Sequence, residues 1–203
     1  MNDTIYTIGH SNHEIDYFKD KLNNFGINCV IDVRSVAASA YSPHFNKEPF
    51  SAYLKRYNIS YLHFAHEFGA RQTDPEVLNV WRKVDFEKVR QSSSFLSGIG
   101  RLKDGLNKGY VVALMCSEAE PFDCHRFSLI SYYLVRNGFI VKHILKDNTT
   151  VDNSELEKQL LKTYDKQIPK PNLFNTLSLS PVEQLDLAYQ LHALEVAYDT
   201  LNT

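Results

Sequence analysis

The sequence predicts an α/β fold: a mostly parallel sheet with helices on both faces, plus an appended C-terminal helix. Three observations carry that expectation. Short runs rich in β-branched and aromatic residues alternate with segments whose apolar residues recur at helical spacing. Two of the runs, residues 28–33 and 110–115, are apolar nearly end to end, as strands covered on both faces are. Strand–helix alternation of this kind implies right-handed crossovers, which place helices against a parallel sheet.

The elements follow in order. Residues 4–8 read as a strand stopped by Gly9-His10-Ser11. A helix should follow, capped by Asn12 or Ser11, with Ile15, Phe18, Leu22 and Phe25 on one face and Gly26 as its stop. The run 28–33 is the second strand and ends at Asp32 and Arg34. Residues 35–46 carry neither periodicity and make a loop long enough to have a task. A short helix over 50–57, a strand over 59–64 and irregular chain around Glu67-Phe68-Gly69-Ala70-Arg71 and Thr73-Asp74-Pro75 come next, and no pattern stands out from there to Gln91. Phe95, Ile99, Leu102 and Leu106 mark a helix over 94–107, against which Gly98 and Gly100 argue. The run 110–115 should be a central strand stopping at Cys116-Ser117-Glu118. A helix opening near Asp123 carries Phe127, Ile130, Leu134 and Val135 to an Asn137-Gly138 stop, and a strand over 139–145 and a helix over 154–164 complete the domain, residues 1–166. Residues 167–179, with Pro169 and Pro171, read as a linker, and 180–203 as a helix started by Ser180-Pro181 with Glu183. Its apolar face, Leu185, Tyr189, His192 and Val196, must dock on the domain or on a second copy, which leaves a homodimer open.

Composition narrows the class. With 22 Lys plus Arg against 24 Asp plus Glu the net charge is −2, so non-specific polyanion binding is not the main activity, although a local basic patch for nucleic acid is not excluded. Cys29, Cys116 and Cys124 are too few for a disulfide framework. No signal-like or membrane-spanning apolar run is present, so a cytoplasmic location with no membrane partner is expected.

Chemistry gathers at three strand ends: Gly9-His10-Ser11, Asp32-Val33-Arg34 and Cys116-Ser117-Glu118. In an open parallel sheet, ligands bind beyond the carboxyl ends of the strands. Cys124-His125-Arg126 falls at the expected start of a helix, where unpaired N–H groups favour an anion or a thiolate. The bland reading has Cys124 as a small buried hydrophobe and Arg126 paired with Glu118 or Asp32. A zinc site from Cys116, Cys124 and His125 with His10 lacks the C-x-x-C and H-x-x-x-H spacings, so neither metal nor other cofactor is expected. Tyr41 and Phe45 could stack on a base or sugar, though ordinary packing is the favoured reading. Pro171-Asn172-Leu173-Phe174 is similar to short Leu-Phe peptides by which DNA-repair proteins dock on a sliding clamp.

The segments Thr7-Ile8-Gly9-His10-Ser11, Asp32-Val33-Arg34-Ser35, Ser42-Pro43-His44-Phe45-Asn46 and Leu114-Met115-Cys116-Ser117-Glu118 with Pro121-Phe122-Asp123-Cys124-His125-Arg126 occur in one order. In that order, and with Val141-Lys142-His143-Ile144, the chain resembles the bacterial and archaeal domain of unknown function family 488 over residues 4–145. The resemblance implies a site signature and no established reaction. It lands on His10, Ser11, Asp32, Arg34, Cys116, Glu118, Cys124, His125 and Arg126. Ala37 and Ala40 stand where the pattern has a Pro and an Arg, and Ala70 where it has a Gly. The expectation is therefore an enzyme with Cys124, His10 and Glu118 catalytic. Ser11, Asp32, Arg34, Cys116, His125 and Arg126 would bind a small anionic or nucleotide-like ligand. The alternative is a binding module whose cysteines are structural.

Overall fold

A computed structural model describes residues 4–170 and 179–201. Its strands are β1 (Thr4–Gly9), β2 (Cys29–Asp32), β3 (Ser60–His63), β4 (Val112–Cys116), β5 (Ile140–Ile144) and β6 (Thr150–Asp152). They form one sheet in the order β3-β2-β4-β1-β5-β6, parallel except for β6, which runs against β5. The helices are α1 (Ile15–Asn24), α2 (Lys47–Lys55), α3 (Ala65–Phe68), α4 (Phe86–Gln91), α5 (Ser93–Asn107), α6 (Tyr132–Arg136), α7 (Asn153–Thr163) and α8 (Pro181–Val196). Thus the fold class is α/β, as the alternation predicts.

The two faces are built by different helices. Phe18 and Leu22 of α1 and Phe50 and Leu54 of α2 pack on Ile8, Val30, Ala113 and Met115. On the other face Phe95, Ile99 and Leu102 of α5, with Leu129, Ile130 and Leu134, pack on Ile5, Ile31, Val112 and Leu114. Each large apolar side chain so covered contributes on the order of 1.5–3 kcal/mol. The chain leaves β1 toward β2 over one face and leaves β4 toward β5 over the other. The neighbours β1 and β4 therefore part in opposite directions, which opens a crevice at their carboxyl ends. Gly9 sits opposite Cys116 and Asp32 opposite Met115, so the polar strand ends come out level.

Some local expectations change. Helix α1 starts from Glu14 with no side-chain cap, while Ser11 takes a left-handed turn at φ 47°. Helix α2 begins at Lys47, ahead of the apolar run that marks it, because Pro49 fits a first turn. Helix α4 was not legible, yet Asp85 caps it by accepting from Glu87 and Lys88 N–H. Gly98 supports α5 rather than weakening it: a Cβ there would lie 2.6 Å from Glu67 Cβ and 2.9 Å from Phe68 Cε1, so the glycine lets α5 seat against α3. The helix expected from Asp123 begins as a π-helix over Arg126–Ser131 and becomes α6 only at Tyr132. All six π residues are buried, and Ser131 Oγ donates to the Arg126 carbonyl at 2.7 Å.

Helix α8 opens with the capping box read from Ser180 and Glu183. Its Ala188 and Tyr189 pack with Phe127, Leu156, Leu160 and Tyr164, so its apolar face docks on α7 and the π-helix of its own chain. Most of the linker, and the Pro171-Asn172-Leu173-Phe174 peptide with it, lies outside the described residues. Among the described residues no helix is long and apolar enough to cross a membrane.

Candidate functional site

The crevice is closed in by a clamp. At Gly9 a Cβ would lie 1.8 Å from the Glu118 carbonyl oxygen, so only glycine lets the loop after β4 cross the end of β1. The pairing of β1 with β4 continues beyond both strands, His10 N–H donating to Cys116 O and Ser11 N–H to Ser117 O, each at 2.9 Å. From the other side Arg126 donates to the carbonyls of Glu118 and Ala119 at 2.8 and 2.9 Å. Arg126 is completely buried, its Nε has no partner, and no carboxylate pairs with it among the described residues. Arg126 thus holds the Glu118 loop by its backbone.

Two polar networks share this end of the sheet. In the first, Arg34 makes a two-pronged ion pair with Asp32, Nε to Oδ1 at 2.9 Å and Nη2 to Oδ2 at 2.6 Å. Nη2 also donates to Phe45 O at 2.7 Å, and Tyr61 Oη donates to Asp32 Oδ2 at 2.7 Å. Arg34 Nη1 lies 3.0 Å from His10 Nε2. A guanidinium only donates, so Nε2 must accept and Nδ1 carries the proton toward Ser11 O at 2.8 Å. Burial first, then the Arg34 charge, pulls the His10 pKa down to about 4. Both ring nitrogens are committed in a neutral imidazole stacked on Phe45.

The second network differs. Cys116 donates to Glu118 Oε2 at 2.7 Å and Cys124 to the same oxygen at 3.2 Å. His125 Nδ1 lies 3.9 Å from Cys116 Sγ and 3.7 Å from Cys124 Sγ. The His125 Nε2 faces Val33 O at 3.2 Å. A carbonyl only accepts, so Nε2 carries a proton, and Nδ1 faces the two sulfurs. The Cys124 thiol and burial push Cys116 well above the ordinary thiol range. Burial of His125 lowers its pKa, but Cys116, Glu118 and the Val33 carbonyl outweigh it and leave it raised. For Glu118 burial raises the carboxyl and the two thiol donors, its own backbone and His125 bring it below its usual value.

A cleft of about 280 Å³ opens over this network, lined among others by Ser35, Ser39, Arg71, Cys116, Glu118 and His125. The sequence placed Arg71 in irregular chain and gave it no role. In the structure its N–H donates to Ser35 Oγ at 2.8 Å and its guanidinium packs over Tyr198, with no carboxylate partner among the described residues. Cys124 is 2% exposed and lies beneath the cleft, whereas Cys116 borders it. Ser11 touches only Asn12 through its hydroxyl, and Phe45 is core while Tyr41 stands in solvent. Other cavities, one beside α8 and one beside α2, hold no comparable cluster of thiols and imidazole.

Comparison with known proteins gives one match: the family model described as "Domain of unknown function DUF488" covers residues 14–133, more than half of the chain. The match includes β2, β4 and the thiol network and begins after His10. No curated protein and no solved structure matches the chain.

Proposed function

We propose, taking as premise that the chain belongs to the DUF488 family, that it is an enzyme acting on an anionic, nucleotide-like substrate in this cleft. The convergence of Cys116, Glu118, Cys124 and His125 within 4.8 Å of one another carries the reading, because a cleft at a topological switch point floored by reactive groups is where catalysis is expected. Arg71 is the cation available to hold the substrate's charge, with the Ser35 and Ser39 side of the cleft beside it. Glu118 is the group that moves a proton. Its side chain is exposed to the cleft, and its Oε2 already accepts from both thiols. His10 acts by positioning: its lone pair holds Arg34, and Arg34 holds Asp32 at the end of β2.

The test is a thermal-shift screen with nucleoside phosphates, sugar phosphates and dicarboxylates, followed by turnover assays on whatever binds. Arg71→Ala is expected to weaken binding at least tenfold, and Glu118→Gln to bind yet fail to turn over. If wild-type protein binds and never turns over, while Cys116→Ser and Glu118→Gln bind equally well, the protein is a binding module and the enzyme reading is lost. The buried state of both thiols, 3% and 2% exposed, is the observation that favours that second reading.

A further inference from the structure

The thiol network contains the donor set of a metal centre. One ligand atom from each of Cys116, Glu118, Cys124 and His125 lies within 4.8 Å of all the others. Zinc–sulfur and zinc–nitrogen bonds of about 2.3 and 2.0–2.1 Å at tetrahedral angles put sulfur and nitrogen about 3.5 Å apart and two sulfurs about 3.8 Å apart. The observed sulfur–nitrogen separations, 3.7 and 3.9 Å, are close to that. The sulfur–oxygen separations, 2.7 and 3.2 Å, are those of thiols donating to a carboxylate. Loss of those two protons removes the attraction, and Glu118 is the one exposed member of the four, so it is the side chain with room to draw back.

One further observation points the same way, and a second is compatible with it. The first is the orientation of His125: Nε2–H donates to the Val33 carbonyl and Nδ1, the atom that would ligate once deprotonated, faces the sulfurs. Metal-ligating histidines are held in this manner, with the distal N–H on a carbonyl or carboxylate that fixes tautomer and ring. The second is charge. Arg126 is completely buried, has an unpartnered Nε and donates only to carbonyls of the Glu118–Ala119 loop. A buried charge is costly without a counter-charge. Two thiolates, one carboxylate and a neutral imidazole around a dication carry a net charge of about −1, the same charge that ionised Glu118 gives the metal-free cluster, so a metal would leave the balance with the guanidinium unchanged. The Asp32–Arg34 pair is self-contained and neutral, so it supplies no counter-charge.

The geometry points to a zinc ion at the floor of the cleft, held by Cys116, Cys124 and His125, with Glu118 as a fourth ligand that substrate or solvent can replace. Two sulfurs and an imidazole select zinc, and its tetrahedral relatives cobalt and iron, over magnesium or calcium, which take oxygen ligands. Three buried ligands and one exposed, cleft-facing ligand are the pattern of a centre with an exchangeable position rather than of a closed structural site. This deepens the proposed function, since it rests on the same cleft and supplies what the buried thiols lack there: a Lewis acid that keeps them ionised and polarises a bound group.

The experiment is cobalt and zinc titration of the full chain, reduced and stripped with chelator. One equivalent of cobalt should give the intense visible absorption of tetrahedral cobalt and a near-ultraviolet thiolate charge-transfer band with the strength of two sulfur ligands. Zinc should bleach both stoichiometrically and raise the melting temperature. Cys124→Ser and Cys116→Ser should each weaken zinc by ~100-fold or more, since even an outer partner costs 10–100-fold. Glu118→Gln should weaken it about tenfold and keep the two-thiolate band, and Cys29→Ser, remote from the cluster, should change nothing. No stoichiometric binding, a pale octahedral spectrum, or equal affinity in a Cys116→Ser/Cys124→Ser double variant each overturns the site. If the serine variants do not fold, the wild-type cobalt spectrum decides alone. Failure of zinc binding with cleft ligands still binding and turning over leaves the enzyme reading intact. Zinc binding without any turnover sinks the enzyme reading and upholds the metal site.

Discussion

Two polar clusters stand side by side at the carboxyl end of the sheet, and they differ in what their atoms have left to give. Around Asp32 and Arg34, the ion pair, the Tyr61 hydroxyl, the Phe45 carbonyl and His10 satisfy one another, and the Arg34 carbonyl faces His63 Nε2 at 2.7 Å. Around Cys116 and Cys124, one carboxylate oxygen serves two thiols and an imidazole nitrogen faces both sulfurs. Residue type does not separate the two, since either could be written as a catalytic constellation. Commitment separates them: in the first network donors and acceptors are matched, and in the second one acceptor is shared by two thiols beside an imidazole nitrogen.

The contrast breaks most sharply at Arg34. Arg34→Ala should cost about 3–5 kcal/mol, because it strands the Asp32 carboxylate with no exposure to water. Urea unfolding measures it, and a loss under about 1 kcal/mol would mean the pair is held for ligand rather than fold. Gly9→Ala comes next. Its Cβ would strike the Glu118 carbonyl, so a loss of about 1–3 kcal/mol is expected together with weaker zinc binding. Loss of stability with zinc affinity unchanged would show that the loop position does not set the site.

Acid should act on the committed network and on a second buried histidine. His10 is held near pH 4 by burial and Arg34, and His143, between Thr7 and Asn153, near 3 by burial. Both folded values lie below the unfolded value of about 6.5, so the unfolded chain binds the protons first. Stability is therefore full above about pH 6.5 and falls toward pH 4 by up to about 1.4 kcal/mol per pH unit for each histidine. Chemical denaturation across that range checks it, and His143→Gln should flatten the slope. An unchanged slope assigns the acid loss elsewhere. The smallest stability effect belongs to Glu118→Gln, below about 1 kcal/mol, because the side chain is exposed and its backbone clamp through Arg126 survives. A large loss there would make the thiol network a scaffold too.

Much of the frame was legible because its signals are local. Continuous apolar runs gave β2 and β4, helical spacing gave α1, α5 and α8, and Gly9, Asp32 and Cys116 marked three strand ends before their register was known. Helix α4 and strand β6 were missed, being six and three residues long with little room for periodicity. The widened π turn at Arg126 was missed as well, since a fully buried helix shows no amphipathic stripe.

The sequence by itself determined the α/β class and marked the three polar strand ends that the sheet brings level, because strand ends and residue types are properties of short windows. Only the tertiary structure decided which partners the residues there meet. His10, set beside Arg34 by chain 24 residues away, accepts from its guanidinium, and Glu118 accepts from both thiols. Arg126 turned to carbonyls, and Arg71 reached the cleft from a segment with no pattern. A hydrogen bond depends on partners far apart in sequence, and spacing along the chain carries no record of which lone pairs folding leaves free.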